Sequence, residues 1–219
     1  MKNVRDIISG TEGESARKKE KILRAAWLVS LSAPISTAIA HYFGRTSILL
    51  ADFLRRSNEF LALFLAWYIF LRIREHEQAD EDEGGRVRRL EVFSSVFMAG
   101  VMIISGLIIL RSAWNQFISP ESPGWLIPGL LINGGGLVVN GFFWYKNYSL
   151  HRRDGSQIMA NQWRFYRAKT AVDFMVLSSL LITNFDLLGQ FSWLADPLGS
   201  LLVAFFIWFS AWRILRKAL

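Results

Sequence analysis

Cysteine is missing from this chain altogether, and histidine occurs only three times, at His41, His76 and His151. The first absence excludes disulfides, thiolate metal ligands and thiol nucleophiles. The second leaves no serine, histidine and acid grouping and no histidine-based metal triad; with no phosphate-cradling glycine loop either, no enzyme and no cofactor are expected. The first twenty residues lack the apolar core of a cleaved signal peptide, so residues 1–23 read as a polar cytoplasmic tail. What the chain has in quantity is apolar side chains, 52% of its 219 residues, in long runs broken by clusters of charge. That is the layout of an integral membrane protein. Its net charge of +7 does not point to nucleic acid, because the bases lie beside the apolar runs, where membrane orientation accounts for them.

A helix needs about 20 residues to cross hydrocarbon, and the apolar runs predict spans over residues 25–43, 47–71, 91–115, 124–146, 165–187 and 191–213. The expected fold is therefore all-α and polytopic, six transmembrane helices over residues 24–219, with no soluble domain after the last. Gly44, Arg45 and Thr46 alone join the first pair, and a few residues around Gly189 join the last, so both pairs are antiparallel hairpins. Bases gather in the tail (Lys18, Lys19, Lys21, Arg24), the second loop (Arg86, Arg88, Arg89), the fourth loop (Arg152, Arg153) and the end (Arg213, Arg216, Lys217). The alternate loops hold almost none, which places both termini in the cytoplasm. Tryptophans at both predicted interfaces, Trp27, Trp67, Trp144, Trp163 and Trp212 against Trp114, Trp125 and Trp193, give the same topology. The membrane expected is the bacterial cytoplasmic membrane.

Several smaller features carry two readings each. The acidic stretch from Glu75 to Glu83, with His76 inside it, is a pattern that collects divalent cations and equally that of a solvated loop. Gly134, Gly135 and Gly136 read as close helix packing. Asp196 before Pro197 reads as the cap of the sixth span. His41 reads as interfacial rather than as a ligand.

The charges inside the apolar runs stand apart. Span two carries Asp52, Arg55, Arg56 and Glu59, and span five carries Lys169 and Asp173. Each such charge costs about 2.5 to 3.5 kcal/mol even on the lenient insertion scale, so it marks a functional site. Spacings of three and four put Asp52, Arg55 and Glu59 on one face. At 1.5 Å per residue Glu59 lies about 18 Å from the outer end of its span, while Lys169 and Asp173 lie about 6 to 12 Å in from the cytoplasmic end of theirs, so the pairs meet at similar depth.

The segment Leu49-Leu50-Ala51-Asp52 followed by a four-residue pair resembles the second span of cation diffusion facilitator transporters. Ala195-Asp196-Pro197-Leu198-Gly199-Ser200-Leu201-Leu202, leading into Ser210-Ala211-Trp212-Arg213, is similar to their sixth. Glu91 and Asn140 also sit where that family places them, and the likeness runs from about residue 24 to the end. The resemblance implies a homodimeric exporter moving zinc or a similar dication against protons. It also implies a tetrahedral site whose positions fall here on Arg55, Glu59, Lys169 and Asp173.

Two of those four residues are wrong for metal. Arginine stays protonated and offers no lone pair, and lysine ligates only once it has lost its proton. No metal is therefore expected there. Two acids and two bases sum instead to a neutral quartet, with Asp52 and Asn140 as supporting polar groups. The histidine-rich turn of many relatives is replaced by Gly84-Gly85-Arg86-Val87-Arg88-Arg89, and no soluble metal-binding domain is expected after Leu219. Three functions remain open: a proton-coupled transporter whose substrate is no longer a zinc-type dication, a non-transporting subunit of a membrane complex whose quartet is a fixed salt-bridge network, and, third, ordinary divalent transport through the two carboxylates alone. Partners are the lipid bilayer, a second copy of the chain and membrane proteins of such a complex.

Overall fold

The structure is a computed structural model, and it describes residues 24, 27–28, 30–76, 83–154 and 157–218. The tail and most of the acidic stretch, 77–82 included, lie outside the described residues, as does the side chain of Glu91. Among the described residues six α-helices follow in order: α1 (Ser32–Gly44), α2 (Ser47–His76), α3 (Glu83–Ile118), α4 (Ile127–Asp154), α5 (Gln157–Phe185) and, after a 3-10 turn at Gly189–Leu194, α6 (Ala195–Ala218).

Their order matches the six expected spans, but five of them extend past the expected ends. At the end of the bundle carrying the basic loops, α2 and α4 continue to His76 and Asp154, α3 and α5 begin already at Glu83 and Gln157, and α6 reaches Ala218. Hydrocarbon thickness sets a minimum length for a helix, not its stopping point. Polar residues beyond it continue the same backbone hydrogen bonds. Among the described residues three segments are long and apolar enough to cross a membrane, Val92–Ile118, Ile127–Arg152 and Gly189–Arg216. The runs in α2 and α5 are diluted by the charges they carry, and α1 has only 13 residues in its defined helix.

Turn chemistry explains the hairpins. Arg45 takes the left-handed conformation at φ 50° and ends α1, its N–H donating to the His41 carbonyl at 2.8 Å. Pro34, Pro128 and Pro197 all fall in first turns, where a missing N–H costs nothing. Gly124 lets the loop before α4 lie on the end of α1: Gly124 N–H donates to Gly44 O and Trp125 N–H to Phe43 O, each at 2.9 Å.

The helices pack most extensively as α4 on α5 and α3 on α6, with α2 between α1, α3 and α6. Ile48, Leu49, Ile109, Leu126, Val172, Val176, Leu180, Val203 and Ile207 form the buried core. Large apolar residues such as Ile104, Leu107, Leu131, Val138 and Phe205 are exposed instead. A continuous apolar exterior of this kind fits a lipid surrounding.

Candidate functional site

The site lies where α2 faces α4 and α5, from about one and a half to just over three helical turns in from the first residue of α2. Asp52 and Asp173 are wholly buried and Arg55 almost so. One guanidinium joins three carboxylates. Arg55 Nη2 donates at 2.7 Å to Asp52 Oδ1 and at 2.7 Å to Asp173 Oδ1, while Nη1 donates at 3.1 Å to Glu59 Oε1. The planar guanidinium, with five donors spread over its fork, suits one side chain to several acids at once.

A second guanidinium, outside the expected quartet, completes the arrangement. Arg56 Nε donates to Asp52 Oδ2 at 2.9 Å, and its Nη2 donates to Asn133 Oδ1 at 3.2 Å and lies 3.5 Å from Asp173 Oδ1. Lys169 pairs across helices, its Nζ 2.7 Å from Glu59 Oε2. Asn140 Nδ2 donates to Asp173 Oδ2 at 2.6 Å, in keeping with the supporting role expected of it. The quartet is thus a sextet: Asp52, Glu59 and Asp173 against Arg55, Arg56 and Lys169, still formally neutral.

All four expected positions come together, with different partners from a simple two-pair scheme. Asp173 binds the two arginines, and Lys169 reaches Glu59 rather than the acid on its own helix. Asp52 is a full member, held by both arginines. Arg56 is detectable from spacing, since it stands four residues after Asp52 and helical neighbours at that distance pair. Asn133 gives a weaker signal, a lone amide in the run Leu130-Leu131-Ile132; its own Nδ2 donates to Gly129 O at 3.0 Å, leaving its oxygen for Arg56.

The glycine run next to Asn133 has a different use from the one expected. A β-carbon at Gly134 or Gly135 would meet nothing within 4 Å, whereas one at Gly136 would lie 3.2 Å from Asp173 Oδ2 and 3.4 Å from Arg56 Nη2. Among the described residues of the chain nothing packs closely on Gly134 or Gly135, and Gly136 makes room for the ion network. Gly134→Ala should raise thermal stability in detergent by up to about 1 kcal/mol through helix propensity. Gly136→Ala should instead lose about 1 kcal/mol or more through crowding. An equal gain at both positions would refute the role given to Gly136.

Asp196 also departs from expectation. It sits in the first turn of α6, yet its carboxylate caps α2: Ser47 N–H donates to Oδ2 and Ile48 N–H to Oδ1, both at 2.9 Å, and Ser47 Oγ donates to Oδ2 at 2.6 Å. His41 is half-buried, with Nδ1 buried and without a partner among the described residues.

On the opposite side of the network lies a cavity of about 470 Å³ that runs from Arg55, Asn58 and Glu59 past Lys169 to Arg164 and Arg213. Glu59 and Lys169 are the network's exposed members, their side chains 33% and 25% accessible. The arrangement has one buried, fully paired half and one half that lines the cavity. Among the described residues, each network carboxylate accepts from at least one cationic side chain. A dication would have to displace those cations before binding.

A family model for the cation efflux transmembrane domain matches residues 22–219. No curated protein matches the sequence.

Proposed function

The chain belongs to the cation efflux family, and on that basis we propose that it is a six-span membrane transporter with both termini cytoplasmic, in which the sextet replaces the metal site. The observation that carries this is the cavity ending on Arg55, Glu59 and Lys169. A fixed structural network has no need of access, whereas a transporter must expose its central charges to one side at a time. On the positive-inside orientation the cavity faces the cytoplasm, and the substrate loads from there. Glu59 and Lys169 are the network members that face that side, because Asp52 and Asp173 are sealed. The substrate is not a zinc-type dication, since arginine and an ion-paired lysine occupy two of the four ligand positions and repel added positive charge. The chain acts as transporter rather than enzyme, in a bacterial cytoplasmic membrane, and as a homodimer.

Complete pairing of Asp52, Arg55 and Asp173 supports a second reading, a non-transporting subunit locked by its salt bridges. Reconstituted vesicles separate the two. An imposed pH gradient should drive solute flux and a counter-movement of protons that Lys169→Met abolishes; absence of any proton flux dependent on Lys169 favours the locked subunit. Zinc should neither be transported nor bound. Stoichiometric zinc that disappears in a Glu59→Ala, Asp173→Ala double variant would restore the divalent reading.

A further inference from the structure

We propose that the cavity takes a small organic anion, an apolar body bearing one carboxylate, whose oxygens are held by Arg55 and Lys169. The inference rests on the transport reading of that same cavity and assigns it a substrate class.

Sign comes first. Among the described residues the lining carries Arg55, Lys169, Arg164 and Arg213 against a single acid, Glu59. The network itself is neutral once Asp52, Asp173 and Arg56 are included, so Arg164 and Arg213 are excess positive charge at the cavity's outer part. A cleft lined by one sign of charge between low-dielectric walls concentrates ions of the other sign. Membrane orientation alone would account for bases at helix ends, but not for Arg55 and Lys169 at the inner end.

Glu59 shows how a carboxylate is received. Its oxygens already lie 2.7 Å from Lys169 Nζ and 3.1 Å from Arg55 Nη1, on a side chain a third exposed to the cavity. A ligand carboxylate would compete with Glu59 for these same two cations. The walls decide the rest of the ligand. Ala62, Met98, Met102, Phe206, Phe209 and Ile214 line the space, and a volume of about 470 Å³ falls in the range of clefts that enclose small organic ligands. An inorganic oxyanion would leave that apolar surface unused. Among the described lining residues a cation would find one carboxylate, which already accepts from two cationic side chains.

The test is equilibrium binding of radiolabelled benzoate to the full chain in phosphatidylcholine nanodiscs. Saturable binding is expected, displaced by hexanoate and not by hexylamine or inorganic phosphate. Lys169→Gln should weaken it at least tenfold and Arg213→Gln severalfold. Glu59→Gln, which removes the competing internal carboxylate and keeps its shape, should tighten it severalfold. Saturable hexylamine binding in place of benzoate would overturn the proposal, as would displacement by phosphate or benzoate binding indifferent to both Lys169→Gln and Arg213→Gln. The two readings fail separately. Benzoate binding with these responses but without proton-linked flux in vesicles would sink transport and uphold the anion site; hexylamine flux dependent on Lys169 without benzoate binding would do the reverse.

Discussion

Arg55→Met should destabilise the protein by about 3 to 5 kcal/mol, the range found when one partner of a buried ion pair is removed. The magnitude follows from what stays behind. Asp52 and Asp173 are both 0% exposed, and without Arg55 three acids face only Arg56 and Lys169. Arg56 reaches Asp173 only at 3.5 Å, too far to replace a 2.7 Å contact. Methionine fills most of the volume, so lost packing is a small part of the effect. Arg55→Lys keeps the charge but not the fork, and should recover less than half the loss. The decisive comparison is a cycle. Arg55→Met with Asp173→Asn leaves Asp52 and Glu59 against Arg56 and Lys169, neutral again, and should be more stable than Arg55→Met alone. Thermal unfolding in detergent reads these three variants together with Asp173→Asn alone, which closes the cycle. A loss under about 0.5 kcal/mol for Arg55→Met, which is typical of surface changes, would mean that the network is not sealed as described.

Much of the fold and of the ion network is legible in the amino-acid pattern, and particular residues show why. Long apolar runs with charge at one end define spans because hydrocarbon imposes both length and sidedness. The six elements therefore appear in the expected order. Their far ends are not legible, since once outside hydrocarbon a helix such as α4 can continue through Lys146 and Asn147 to Asp154 with nothing in the pattern to stop it. Arg55, Glu59, Lys169 and Asp173 are visible as charges where charge is costly, and the structure does bring them together. Their pairing is not visible. A helical spacing identifies neighbours on one helix, but the choice of Glu59 over Asp173 by Lys169 depends on the relative rotation and depth of α2 and α5. Arg56 is within reach of the same i,i+4 argument that identifies Glu59. Asp196 requires tertiary structure, because its meaning lies on a neighbouring helix.

Asp196→Ala should cost about 2 to 4 kcal/mol, more than an ordinary capping loss of about 1 kcal/mol, because two N–H groups and a hydroxyl lose one buried acceptor together. The side chain is on α6 and the helix it caps is α2, so the bond is also a tether. Its three contacts are Ser47 N–H at 2.9 Å, Ile48 N–H at 2.9 Å and Ser47 Oγ at 2.6 Å. Ser200 reinforces it, with Oγ 2.8 Å from Ser47 Oγ and donating to the Asp196 carbonyl at 2.8 Å. A cap within one helix would affect only that helix's first turn. This one fixes the start of α2 against α6, and Asp52 follows Ser47 by five residues, about 7.5 Å along the axis. The depth at which Arg55 meets Asp173 is therefore set from α6. Asp196→Ala should speed hydrogen exchange of the Ser47 to Leu50 amides and also weaken protection at Arg55 and Arg56. Asp196→Asn keeps one acceptor oxygen and should lose about half as much. If exchange rises at Ser47 and Ile48 while the amides of Arg55 and Arg56 stay protected, Asp196 is a local cap and the network finds its register without it.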